Sequence, residues 1–160
     1  MAGVRELDEE AGVRLGVDDL IPIAHWVTPE IEIRRYDTRF FLALMPEGQQ
    51  ARHDGSETTE LVWATPADAT ARCRDGLIML PPPTWTTLRL LERHPTLDEA
   101  LQWARTRPIA RVQPGFVRTA DESVLTLPGD PSFPTIDGWE IPDETRFVLR
   151  EGRGWLPTPG

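Results

Sequence analysis

The stretch Arg5-Glu6-Leu7-Asp8-Glu9-Glu10-Ala11-Gly12-Val13 decides how this chain is read. Placed on a helix at about 100° per residue, Val4, Leu7 and Ala11 fall on one face. Glu6, Glu9 and Glu10 fall on the opposite face, because spacings of three and four residues stack side chains. Three carboxylates on one face repel one another, and cations relieve that cost. Hard divalent ions prefer carboxylate oxygen, so Mg²⁺ or Mn²⁺ is the expected partner. Gly12 stands where a helix C-terminus favours glycine, so the helix is expected over residues 3 to 12.

The surrounding composition is that of a folded chain. Of 160 residues, 39% are hydrophobic and 27% charged, which argues against wholesale disorder. The formal net charge is −9. Nucleic acid and anionic membranes attract basic surfaces, so neither is an expected partner. All 17 basic residues are arginine, which excludes any mechanism built on a catalytic lysine. The single cysteine, Cys73, cannot form an intramolecular disulfide and reads as structural. No apolar run approaches the length of a membrane span, and no signal peptide is evident. A cytoplasmic location is the expectation.

Downstream of the acidic helix, residues 20–27 suit a strand, and the run from Ile31 to Leu44 is β-rich. Residues 46–56 read as a loop and residues 60–63 as a short strand. Thr65-Pro66 opens a helix that ends near Gly76, since threonine caps and proline suits the first turn. Pro81-Pro82-Pro83 reads as a rigid connector before a helix over residues 84–93, with Leu88 and Leu91 inward. Thr96-Leu-Asp-Glu99 is a capping box opening a helix to Arg105. From Pro108 onward, strands are expected at 112–117, 123–127 and 145–149. The division expected is a domain over residues 1–107 and a β-rich extension over 108–160.

The nonapeptide resembles the end of the Nudix signature, R-E-U-x-E-E-x-G-U, where U is a bulky aliphatic residue. Every fixed position matches, and a chance match in a chain of this size is on the order of one in ten thousand or less. The order of Trp26-Val-Thr-Pro29, Arg35-Tyr-Asp-Thr-Arg-Phe-Phe-Leu-Ala43, Glu57 before Trp63, and Leu80-Pro-Pro-Pro-Thr84 is similar to the coenzyme A diphosphatase-like branch. That similarity spans roughly residues 4 to 93, and Leu127-Pro-Gly-Asp-Pro131 is also similar to bacterial members of the branch.

The resemblance implies an α/β (α+β) chain with a Nudix-type mixed sheet between helical layers, followed by a C-terminal β extension. It implies metal-assisted attack of water on a diphosphate. Glu9 and Glu10 are implied as metal ligands. Glu6 is implied as a further ligand or as the general base. Arg5 is implied to hold the catalytic turn through ion pairing. Glu57 is the first candidate for an additional ligand and Glu60 the second. Arg35 and Arg39, spaced to project from one side of a strand, are candidates for substrate phosphate, with a surface ion pair as the alternative. Trp26 either stacks on a base or supports the core. His25, His53 and His94 are too scattered for a zinc site.

The full signature begins with a glycine and a glutamate upstream of Arg5, and only Met1 to Val4 precede it here. The expectation is therefore a chain truncated within the motif, lacking the first strands. Two functions follow. One is a metal-dependent hydrolase of a nucleoside diphosphate linked to another group, coenzyme A or an acyl derivative among them. The other is a catalytically inactive Nudix-derived fragment or binding protein.

Overall fold

The computed structural model describes residues 2–30, 34–52 and 61–158. Helix α1 (Ala2–Ala11) leads through a short 3₁₀ turn at Val17–Asp19 into strand β1 (Ile21–Val27), which pairs with β2 (Asp37–Leu42). Helices α2 (Pro66–Arg74), α3 (Pro82–Leu91) and α4 (Leu97–Thr106) follow. The strands after them are β3 (Arg111–Val112), β4 (Gly115–Arg118), β5 (Ser123–Thr126), β6 (Arg146–Arg150) and β7 (Gly154–Thr158). The chain is thus mixed α and β, as expected. No helix among the described residues is long and apolar enough to cross a membrane.

Two sheets form. The first has the order β2-β1-β3, antiparallel between β1 and β2 and parallel between β1 and β3. Pro22 has no N–H to give the ladder, and the register shifts between Pro22 and Ala24, which is where a strand tolerates proline. The second sheet is the antiparallel meander β4-β5-β6-β7. Gly115 begins β4 because a Cβ there would lie 2.6 Å from Thr126 Oγ1 and 2.7 Å from the Phe133 ring.

One core draws on both the 1–107 segment and the 108–160 extension. Trp26, Cys73 and Trp85 from the first half pack with Val112, Leu125, Leu127 and Phe147 from the second. Cys73 is a buried small hydrophobe in this core. The meander is locked by Asp130, whose buried carboxylate accepts from Arg146 Nη2 at 2.8 Å and Nε at 3.0 Å and from the Ser132 N–H at 2.8 Å. Burial pushes this carboxyl up, but the hydrogen bonds from Arg146 and Ser132 outweigh burial and hold it below its ordinary value.

Several element boundaries differ from the sequence reading. Pro82 and Pro83 are not a connector but the first turn of α3, where a missing N–H costs nothing. Trp85, Thr86 and Leu90 are buried on this helix, whereas Leu88 and Leu91 are only half-buried, because the large indole takes the core position. The strand expected over 112–117 is two strands in different sheets, broken at Gln113-Pro114, since Pro114 cannot continue a ladder. Residues 61–63 form no strand. Strand β7 goes beyond the strands expected, and Pro157 lies within it. It is tolerated because β7 is an edge strand.

Candidate active site

Helix α1 ends at Ala11, and Gly12 follows at φ +65°, a conformation that costs glycine little. The Gly12 N–H donates to Asp8 O at 3.1 Å and the Val13 N–H to Leu7 O at 3.3 Å, so two helix-end carbonyls find partners. Val13 is then buried. The chain beyond it is stitched to the loop at 46–52. Arg14 N–H donates to Gln49 Oε1 at 2.7 Å, Gln49 Nε2 returns a bond to Arg14 O at 3.0 Å, and Arg52 N–H reaches Ala11 O at 2.9 Å. Neither Gln49 nor Arg52 stood out in the sequence, since both act through bonds that need the loop folded back.

Val4, Leu7 and Ala11 are half-buried, as the helical pattern required. Glu6 and Glu9 are exposed and Glu10 is half-buried. Arg5 Nε lies 3.7 Å from Glu9 Oε1, an i,i+4 pair with both side chains open to solvent. Asp8, the variable position of the motif, accepts from Arg14 Nε at 3.2 Å. Residues Val4, Arg5, Asp8, Arg14, Leu15 and Val17 border a depression of about 430 Å³ beside these groups.

The donor chemistry of α1 fits a hard divalent cation, since Glu6, Glu9 and Glu10 offer carboxylate oxygen alone. The three are not gathered into a cage. Among the described residues no three His, Cys, Asp or Glu side chains converge to hold a metal. Glu57 and Glu60 lie outside the described residues, as does His53.

The other expected site residues are elsewhere. The expectation that Arg35 and Arg39 share one strand face is overturned, because β2 begins only at Asp37. The hairpin closes early: Tyr36 N–H donates to Thr28 Oγ1 at 2.9 Å and Thr28 N–H to Tyr36 O at 3.0 Å, so a side chain replaces the next rung. Arg35, before the strand, reaches Gln113 Oε1 at 3.4 Å. Arg39 is exposed opposite His25. His25 Nε2 lies 2.7 Å from Asp37 Oδ1 across the strands. Trp26 is buried edge-on against Trp139, with ring centroids 5.6 Å apart.

Trp26 also walls a larger cavity, of about 570 Å³, at the far end of β1. Phe40, Leu125, Trp155 and the proline run at 81–83 form its other apolar walls, and Arg34, Tyr36 and Thr38 stand at its exposed mouth.

Comparison with known proteins adds the decisive observation. The chain is 30% identical over 129 residues to the acyl-coenzyme A diphosphatase NUDT19 of Xenopus laevis, covering 76% of this chain and 33% of that protein. It is 32% identical over 110 residues to the Homo sapiens protein of the same name, covering 66% of this chain and 29% of the relative. The chain is related to the Nudix acyl-coenzyme A diphosphatases. The Gallus gallus protein gives 29% identity over 130 residues. The chain spans about a third of the length of these Nudix relatives. No protein-family model matches it. No solved structure matches it significantly.

Proposed function

We propose that this chain serves metal-dependent hydrolysis of a diphosphate linkage in a nucleoside diphosphate derivative, with coenzyme A or an acyl-coenzyme A as substrate. The carrying observation is the carboxylate face of α1, set on a Nudix motif in a chain related to acyl-coenzyme A diphosphatases. Glu6, Glu9 and Glu10 would hold Mg²⁺ or Mn²⁺, which when bound offsets phosphate charge and activates water. Glu9 leaves Arg5 to join such a site, and the exposed pair makes that step cheap, at about 0.5 kcal/mol. Glu10, the most sheltered of the three, keeps a fixed position on the helix. Glu57 is retained as the proposed additional ligand. Arg39, exposed on β2, and Arg35 are proposed to meet outer phosphates of the substrate.

A second reading, a non-catalytic Nudix-derived binding protein, is favoured by the lack of convergence of three carboxylates among the described residues. Two measurements separate the readings. Coenzyme A is incubated with the chain and Mn²⁺ or Mg²⁺, and the products are followed by phosphorus NMR. Metal-dependent release of a phosphopantetheine and a nucleoside bisphosphate, reduced at least about a hundredfold by Glu10→Gln, supports hydrolysis. Equal rates in the two proteins would sink it. Mn²⁺ binding by calorimetry without turnover would establish the binding reading.

A further inference from the structure

We infer that the cavity at the end of β1 holds the acyl chain of an acyl-thioester substrate, an assignment that rests on the diphosphatase reading of α1. The first argument is placement. The depression beside α1 ends its lining at Val17, before β1 begins, whereas the cavity takes its lining from Trp26 onward. No residue of α1 lines the cavity. A ligand whose diphosphate sits at α1 therefore meets the cavity with another part of the molecule.

The second argument is chemistry. At about 570 Å³ the cavity is in the range of small-molecule sites. Its walls are tryptophan, phenylalanine, leucine and proline, and the described lining holds no Asp, Glu, Asn or Gln. A purine carries ring nitrogens and an amino group that need partners, and burying them unpaired is costly. Among the lining hydroxyls, that of Thr28 is already engaged by Tyr36. An aliphatic chain makes no such demand and gains from every methylene buried. The polar end of that chain would meet the mouth, where Arg34 and the Tyr36 and Thr38 side chains are exposed.

The test uses butanoyl-, hexanoyl- and octanoyl-pantetheine, which carry no diphosphate, titrated into the whole chain by calorimetry. Affinity is expected to rise roughly threefold to fourfold per added methylene until the cavity is full. Thr38→Trp, at an exposed lining position, is expected to block the mouth and abolish this dependence while thermal melting stays unchanged. Glu10→Gln should leave it intact. A flat chain-length series in the wild type overturns the assignment, and this outcome needs no variant to fold. Displacement of octanoyl-pantetheine by adenosine bisphosphate would show a base pocket and overturn it as well. Chain-length-dependent binding in a protein that hydrolyses no coenzyme A ester would leave the cavity assignment standing and remove the diphosphatase reading alone.

Discussion

Two groups of carboxylates stand in opposite states. On α1, Glu6, Glu9 and Glu10 share one face, and among the described residues their ion-pair partner is Arg5, in a solvent-open pair with Glu9. Around α3 the acids are held. Arg89 bonds Glu144 at 3.1 Å, Asp143 at 3.1 Å and also Glu92, while Arg93 bonds Asp143 at 2.8 Å and Glu140 at 3.0 Å. Asp130 is enclosed by Arg146 and Ser132. Burial works against the charge on Arg89 and Arg93, yet their acidic neighbours raise both above the ordinary arginine value. Acids whose valence is met inside the chain hold a loop to a helix. Acids left facing water retain the capacity to bind something else.

This contrast can be broken at several points. The largest effect belongs to the core that supports the held acids: Trp85→Ala should cost about 3–5 kcal/mol in denaturant unfolding. A loss below about 1 kcal/mol would mean that the two halves do not share one core. Asp130→Asn comes next, at about 2–3 kcal/mol, because Arg146 loses a charged acceptor while remaining partly solvated. Because the folded Asp130 carboxyl is depressed, its contribution is present above the unfolded value near 4 and is lost as pH falls below it. Urea midpoints from pH 3 to 7 should therefore show a smaller acid loss in the variant than in the wild type.

The combined change Glu6→Gln, Glu9→Gln and Glu10→Gln should alter stability by no more than about 0.5 kcal/mol, with any change toward gain, as like charges are relieved. The same variant should lose the calorimetric signal for Mn²⁺. A destabilised variant would place these acids with the structural set. Smallest of all, Arg5→Ala should cost less than about 0.5 kcal/mol, an effect that salt removes.

Much of the first half was legible in the sequence because its signals are local. The turn at Gly12, the Thr65 cap donated to by the Asp68 N–H, and the Thr96–Glu99 capping box all depend on residues within a few positions. Errors arose where a long-range partner decides. Pro82 and Pro83 read as a stiff connector until the helix after them is placed. Arg35 read as part of a strand until Thr28 closed the hairpin with its side chain. The break at Pro114 sends one apolar run into two sheets, and only the partners of each half reveal it.

Sequence alone determined the carboxylate face of α1 and the family relationship it carries, because helical periodicity and a contiguous motif need no tertiary contact. The tertiary structure decided the rest. It drew Trp26 and Trp85 together with Leu125 and Phe147 into a common core. It also brought Trp26, Phe40, Leu125 and Trp155 around one cavity. Leu125 and Trp155 come from strands far along the chain from the β1–β2 hairpin that carries Trp26 and Phe40, and no local pattern records which distant side chains hydrophobic burial will place face to face.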